Sequence, residues 1–248
     1  MHHFFVDSVS PEGIRIEGQD ARHIRQVLRL SPGDNIEVSC GERIYLCEIR
    51  KFTEDAVETV IRDITENARE LPARITLYQG LPKKDKLELI LQKAVELGAA
   101  RIVPVAMHRS VVQLTGDKAA KRLERYQSIV EAAAKQSRRG QIPEVEPLMT
   151  MEEALKDSRR MDRILLPYEN AEGMDCARKL FQALAEQVEE GNVKEIGIFI
   201  GPEGGFEPSE VDALVAQGAQ VMSLGHRILR TETAGMAILA ILGFYLDR

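Results

Sequence analysis

The chain has 248 residues, 44% of them hydrophobic, which allows one large domain or two modest ones with a buried core. A formal net charge of −6 at pH 7 argues against a protein that coats nucleic acid indiscriminately, but it does not exclude a local basic face. The three cysteines, Cys40, Cys47 and Cys176, form no metal-like or redox-like pair, which favours a reducing cytosol. The N-terminus lacks the apolar core of a signal peptide, and the apolar run over residues 234–246 is too short to cross a bilayer. We therefore expect a soluble cytoplasmic protein with no membrane segment.

The first 70 residues predict a small, closed or nearly closed β-barrel. Short β-like runs alternate with Gly, Pro and Asp, which are typical of turns. One short helix is predicted over residues 20–30, and the polar, proline-broken segment 68–72 is predicted to be a linker. The predicted strands cover residues 3–6, 13–17, 35–39, 44–50 and 56–64.

Beyond residue 74 strands and helices alternate, which predicts a parallel sheet covered by helices on both faces. The clearest helix covers residues 85–97, where apolar residues recur at helical spacing. Asp85 and Glu88 have the spacing of a capping box, and Gly98 can end this helix. The other predicted helices cover residues 120–136, 175–189, 208–217 and 233–245, and the predicted strands cover residues 75–79, 102–105, 164–167, 196–200 and 221–224.

Two loops near the C-terminus each follow a predicted strand and precede a predicted helix. They cover residues 201–205, with the sequence Gly-Pro-Glu-Gly-Gly, and residues 224–234. Open α/β sheets bind ligands at such loops. Their sequences do not fit the phosphate-binding or dinucleotide-binding spacings, so the ligand is expected to be neither a nucleoside triphosphate nor NAD. By itself the first loop could be an ordinary strand-to-helix turn. Ile228 and Leu229, however, are apolar in a loop expected to be exposed, so an adenine ring is one group that could cover them.

Arg230 and Glu232 are predicted to lie at the mouth of this site. Thr231 or Thr233 could simply cap the last helix, but capping does not account for the charged pair. Arg230 could hold a phosphate or polarise a carbonyl, and Glu232 could orient a base or accept a proton.

Basic residues are concentrated on the predicted helix of the barrel and at the end of the helix over residues 120–136. A charge run is usually a solvated face, whereas two arginines beside a glycine at a helix end suit RNA phosphates, and both interpretations stay open. His23 is expected to be buried and hydrogen-bonded rather than catalytic. The candidate RNA-binding residues are Arg22, Arg25, Arg29, Lys83, Lys84, Arg109, Lys135, Arg138 and Arg139.

The sequence contains no motif for a metal site or for a hydrolase. No cluster of His, Cys and Asp has metal-ligand spacing, and no Gly-x-Ser-x-Gly motif is present, so neither a metal site nor a hydrolase triad is expected. Two alternatives stay open. One is a protein that docks RNA without chemistry, and the other is a different nucleotide-dependent enzyme that uses the first loop for phosphates.

The chain resembles the RsmE-type 16S ribosomal RNA (uracil-N3-)methyltransferases of the SPOUT class over essentially its whole length. The two C-terminal motifs, residues 200–206 and 224–234, are highly specific in this order and at this separation. Further matching segments are residues 23–29, 80–83, 96–98 and 133–139.

This resemblance implies a PUA-like RNA-binding β-barrel over residues 1–70. It also implies a SPOUT methyltransferase α/β domain over residues 74–248, with a parallel sheet and a deep C-terminal trefoil knot. The methyl donor would be S-adenosyl-L-methionine, and the protein would be a homodimer. The substrate would be one uridine methylated at ring nitrogen 3, in free 16S rRNA or in the assembled small ribosomal subunit.

For this reaction the candidate site residues are as follows. We expect Arg138 and Arg230 to stabilise the uracil anion, and either Glu203 or Glu232 to take the proton or orient an arginine. The residues implied to hold the cofactor are Leu166, Pro167, Ile200, Gly201, Pro202, Glu203, Gly204, Gly205, Leu224, Gly225, Ile228, Leu229, Arg230, Thr231, Thr233 and Ala234.

Overall fold

The computed structural model describes residues 1–83, 86–110, 117–169, 171 and 173–247. The chain forms two compact units. The first contains Met1–Glu70 together with Ala134–Ile142, and the second contains Leu71–Ala133 together with Pro143–Arg248. The first unit therefore includes a short segment that lies far along the chain from its other residues.

The first unit is built on a five-stranded sheet in the order β1-β3-β4-β5-β2. Strand β1 is parallel to β3, and the other neighbours are antiparallel. Phe4 of β1 and Ile16 of β2 belong to one core with Ile36 of β3, so the sheet curls around a single core. Within the described residues the two outer strands do not pair with each other, so the sheet is curled but not closed by hydrogen bonds. The strands are β1 (His2–Phe5), β2 (Arg15–Glu17), β3 (Asn35–Cys40), β4 (Arg43–Phe52) and β5 (Ala56–Glu66).

The helix predicted over residues 20–30 is split in the structure. Helix α1 covers Gly18–Arg22, and the chain continues as a π-helical turn over His23–Val27. Ile24 is fully buried in the core of the unit. Arg29 then takes a positive φ of 53°, which ends the helical segment earlier than its apolar pattern predicts.

The second unit contains a seven-stranded sheet whose recorded strand pairs are all parallel. The order is β12-β10-β11-β6-β7-β8, and β9 also pairs with β7. Successive residues of β6 and β11 are buried although their side chains point to opposite faces, so both faces of the sheet are covered, as predicted. The strands are β6 (Arg74–Gly80), β7 (Arg101–Ala106), β8 (Glu144–Val145), β9 (Met149–Thr150), β10 (Arg163–Pro167), β11 (Glu195–Ile200) and β12 (Gln220–Met222).

The helices of this unit agree with the predicted alternation, with one addition. Helix α4 was not predicted, although Thr150 and Glu153 form a capping box at its start. None of the described helices is long and apolar enough to cross a membrane. The helices are α2 (Lys86–Glu96), α3 (Asp117–Ser137), α4 (Met151–Asp157), α5 (Met174–Glu189), α6 (Pro208–Ala216) and α7 (Thr231–Leu246), and the end of α3 contributes to the first unit.

Candidate functional site

A cavity of about 380 Å³ lies where β10, β11 and β12 end. It is lined by the residues that follow these three neighbouring strands, by the first turn of α7 and by Lys86 of α2. Ligand cavities usually have volumes of roughly 300–1,000 Å³, so this one can hold a small molecule. The two loops singled out in the sequence therefore meet at one site, at the sheet edge where such sites are expected.

Most of the residues implied to hold the cofactor line this cavity, and three do not. Leu166 is fully buried in the core of the second unit. Gly204 faces Arg109, because a Cβ atom on this glycine would lie 3.0 Å from the Arg109 Cβ. Thr233 is exposed on α7 and is not part of the lining.

Six lining residues were not among the sequence candidates. Tyr168 and Glu169 directly follow β10, so the argument from strand ends could have found them. Lys86 lies on α2 and reaches the cavity only through the tertiary fold, which no local pattern shows. The six residues are Lys86, Tyr168, Glu169, Phe206, Ser223 and Arg227.

The first loop is held tightly against the end of β6 and the start of α7. A Cβ atom on Gly80 would lie 2.6 Å from the Pro202 nitrogen, so only glycine allows this approach. The buried Gln79 side chain donates to the Thr231 hydroxyl over 2.8 Å, and this hydroxyl donates to the Gly201 carbonyl over 2.6 Å. Thr231 thus connects the loop to α7 and makes no capping hydrogen bond, since the N-cap of α7 is Arg230.

The second loop presents apolar surface and one arginine to the cavity. Ile228 lines the cavity and is 84% exposed, as expected of a residue that a ligand would cover. Gly225 has a φ of 118°, a conformation that favours glycine. Arg230 is exposed at the N-cap of α7 and also lines the cavity, so its guanidinium is placed to meet a polar substrate group.

Lys86 and Glu203 line the cavity, and Lys86 also meets Glu232, a predicted site residue that is not part of the lining. The Lys86 Nζ lies 3.1 Å from Glu203 Oε1 and 3.3 Å from Glu232 Oε2. The Lys83 N–H donates to both oxygens of Glu203 over 3.1 and 3.2 Å. Burial raises the pKa of Glu203, but hydrogen bonds from its own N–H, from Lys86 and from Lys83 outweigh burial, so this pKa lies below its usual value. The hydrogen bond to Glu203 in turn raises the pKa of Lys86.

Among the described residues, Lys83 is the basic candidate of the second unit whose side chain forms no hydrogen bond or ion pair. Lys83 is exposed, whereas Lys84 lies outside the described residues. The Arg109 guanidinium donates to Glu207 over 2.8 Å and to the Gly204 carbonyl over 3.0 Å, which ties this arginine to the first loop.

Two arginines that were predicted to bind RNA instead donate hydrogen bonds to other residues of the first unit. The Arg25 guanidinium donates to the backbone carbonyls of Thr53 and Ala56 and lies 5.2 Å from the centre of the Phe52 ring. Arg139 is only 4% exposed and donates to Glu70 over 2.9 Å. Their charges are used to hold loops in place.

The remaining candidates of this unit differ in exposure. Arg22, Arg29 and Arg138 are exposed, and the last two have positive φ values of 53° and 57°. The Lys135 ammonium donates to Asp20 over 2.8 Å. His23 is exposed, which corrects the expectation that it is buried, because the π-helical turn directs only Ile24 into the core.

The chain matches two family models. The model of the RNA methyltransferase domain covers residues 69–243, and the model of the RNA methyltransferase PUA domain covers residues 16–62. The first match alone extends over more than half of the chain.

Similar proteins agree with these matches. The chain is 35% identical over 231 residues to the ribosomal RNA small subunit methyltransferase E of Bacillus subtilis (strain 168), covering 92% of this chain and 89% of that protein. A crystal structure of a hypothetical protein superposes with a TM-score of 0.89 at 32% identity, covering 99% and 98% of the two chains. The Neisseria gonorrhoeae ribosomal RNA small subunit methyltransferase E, bound to S-adenosyl methionine, superposes with a TM-score of 0.79 at 30% identity, covering 97% and 95%. The chain belongs to the ribosomal RNA small subunit methyltransferase E family.

Proposed function

We propose that this protein uses S-adenosyl-L-methionine to methylate ring nitrogen 3 of one uridine in the 16S rRNA of the small ribosomal subunit. The observation that carries this proposal is the meeting of the two C-terminal loops at one cavity that Arg230 and Glu203 line. Family membership and the similar structure bound to S-adenosyl methionine support the choice of ligand.

The cavity has the properties that an adenosine-bearing sulfonium requires. Ile200, Leu229 and the exposed Ile228 give it apolar surface, and the glycine-rich first loop brings backbone groups to its wall. Glu203 adds a carboxylate next to Lys86. We assign Pro167 and the cavity-lining residues within 200–205 and 224–229 to the binding of this cofactor, which supplies an activated methyl group when bound.

The substrate side of the cavity must make a poor nucleophile reactive. The ring nitrogen of uracil carries a proton and attacks a carbon only after this proton leaves, and the resulting negative charge spreads to the flanking carbonyl oxygens. Arg230, exposed at the cavity, is proposed to stabilise these oxygens. Glu203, which lines the cavity, and Glu232, which Lys86 joins to it, are proposed as the carboxylates that could take the proton. A stacked or paired base would have to be turned out of the RNA first.

The first unit is proposed to bind RNA. The PUA match supports this role, and the exposed Arg22, Arg29 and Arg138 offer guanidinium groups for phosphates. We assign RNA binding to residues 1–70 together with the segment 134–142, and methyl transfer to the remainder of residues 74–248. Arg138 is proposed to bind the substrate, either at its phosphates or at the reacting base. Free 16S rRNA and the assembled subunit are both candidate substrates, and a cytoplasmic location suits either.

We also propose a homodimer and a deep C-terminal knot. Helix α7 is almost entirely apolar, yet Phe244 near its end is 84% exposed in the single chain, so a second copy could cover it. The return of β12 to the side of β10, away from β11, supports a threaded C-terminal topology.

A thermal-shift experiment separates this function from its alternatives. A ligand that binds only the native state raises the unfolding temperature. We expect S-adenosyl-L-methionine to raise it and ATP to leave it unchanged. The reverse result would favour an enzyme that binds phosphates in the first loop, and no shift with either compound would favour an RNA-binding protein without chemistry.

A further inference from the structure

Lys86 connects two carboxylates that belong to different elements. It is the first residue of α2, whereas Glu203 lies in the first loop and Glu232 in the first turn of α7. Its Nζ lies within 3.3 Å of an oxygen of each. Lys86 and Glu203 line the cavity, and the lysine ties them to Glu232, which is not itself a lining residue but lies between Thr231 of the lining and Thr233 in the first turn of α7.

The two carboxylates are not equivalent. Both oxygens of Glu203 accept the Lys83 N–H, and Oε1 also pairs with the Lys86 ammonium. Glu203 therefore holds the Lys86 side chain in place. The Oε2 atom of Glu232 is buried and faces the Lys86 ammonium at 3.3 Å, so the lysine occupies this oxygen. Among the described residues no hydrogen bond reaches the other oxygen, Oε1. Glu232 thus keeps one acceptor oxygen, whereas both oxygens of Glu203 are engaged.

We propose that Glu232 accepts the proton from the ring nitrogen of the substrate base and that Lys86 is the positioning residue for Glu232. In this step the N–H bond breaks and an O–H bond forms on Glu232. The electron pair stays on the ring nitrogen and forms the bond to the methyl carbon, while the bond from this carbon to the sulfonium sulfur breaks and leaves its electron pair on the sulfur. The inference rests on the proposed function and chooses between the two carboxylates which that function leaves open.

The surrounding charges determine how Lys86 acts. Glu232 meets Lys86 from α2, Glu203 lies on the other side of this lysine, and Arg230 stands two residues earlier at the N-cap of α7. A helix N-terminus also favours a negative side chain. Without the lysine, two carboxylates would share one site with no cation between them, which raises the pKa of one of them. A base works only when ionised, so loss of Lys86 should move the acid limb of the rate profile to higher pH.

The test measures single-turnover methylation of the RNA substrate from pH 5.5 to 9 with the full chain, and cofactor affinity by calorimetry. Lys86→Met should move the acid limb upward by about one pH unit and change cofactor affinity by less than about threefold. Lys86→Arg should restore the wild-type limb. Glu232→Gln should lower the rate by roughly 100-fold or more at every pH while the cofactor still binds. Lys93→Met is the matched control, because it removes another lysine–glutamate pair from α2, one that lies outside the cavity lining.

Each other outcome overturns a defined part of the account. A Lys86→Met enzyme with the wild-type pH profile, or with losses equal to those of Lys93→Met, reduces Lys86 to a structural residue and refutes the inference. A Glu232→Gln enzyme that keeps more than about a tenth of the rate refutes the assignment of the base. If the wild-type protein transfers no methyl group to uridine nitrogen, the proposed function itself fails, before any variant is considered.

Discussion

Arg230 is the residue that we propose to act on the substrate side of the cavity. It is exposed and lines the cavity, and its guanidinium donates no hydrogen bond to a carboxylate of the described residues. Arg230→Ala should lower the single-turnover rate by about 100- to 1,000-fold, because removing one donor to a developing oxyanion has such an effect. Cofactor affinity, measured by calorimetry, should survive.

The matched control for this change is Arg74→Ala. Arg74 starts β6 at the opposite end of the sheet and pairs with Glu195 over 3.5 Å on the surface. This variant should keep both rate and affinity. Equal losses of rate and cofactor affinity in Arg230→Ala would mean that Arg230 binds the cofactor and not the substrate.

His3 links the stability of the first unit to pH. Its ring is buried beside Ser39 and Glu37, and burial lowers its pKa more than the Glu37 carboxylate, 3.6 Å from the ring Nδ1, raises it. The unfolded chain, with a histidine pKa near 6.5, therefore binds more protons, so stability should fall as pH drops below about 6.5. Each unit of the pKa difference is worth about 1.4 kcal/mol.

Urea unfolding between pH 5 and 7.5 checks this link. His3→Gln should lose less stability on acidification than the wild type, whereas His2→Gln, a change at the exposed neighbouring histidine, should behave as the wild type does. The same acid sensitivity in His3→Gln and the wild type would contradict the expectation.

At this scale the sequence predicts which residues are charged but not what they contact. Arg25 and Arg139 looked like RNA ligands beside Arg22 and Arg29, yet their partners are backbone carbonyls and a carboxylate that lie 28 to 69 positions away. Lys86 was missed for the same reason, since Glu203 and Glu232 reach it only through the fold.

The end of β6 and the first loop form one rigid element of the site. Gly80→Ala should push the loop away, because its Cβ would lie 2.6 Å from the Pro202 nitrogen, and overpacking of this kind costs roughly 1–3 kcal/mol. We expect weaker cofactor binding in calorimetry.

Gly41→Ala controls for lost stability alone. Gly41 has a φ of 59° in a turn of the first unit, so alanine is strained there without touching the loop. This variant should bind the cofactor with wild-type affinity. Unchanged affinity in Gly80→Ala would show that the loop is not part of the cofactor site.

Most of the predicted strands and helices agree with the structure within one to three residues at each end, but the shortest strands, β8 and β9, were not predicted. The strands β8 and β9 have two residues each, too few for any alternation, and they form only because β7 offers an edge. The site was predictable because parallel strands gather their carboxyl ends at one edge, so two loops that follow strands had to be neighbours there.

At the scale of the whole molecule, the exposed end of α7 makes the oligomeric state testable. Phe244→Asp should convert the expected dimer to a monomer in analytical ultracentrifugation, because it places a charge in the apolar contact. Val215→Asp, a similar change at an exposed residue of α6, should leave the dimer intact. A wild-type protein that sediments as a monomer would contradict the homodimer.

The central claim is that the cavity serves methylation of one uridine, and the most direct measurement is a map of methylated uridines in 16S rRNA from cells with and without this protein. We expect one N3-methyluridine to disappear when the protein is absent and to return with the wild-type chain but not with Arg230→Ala. A map that is identical with and without the protein would contradict the account.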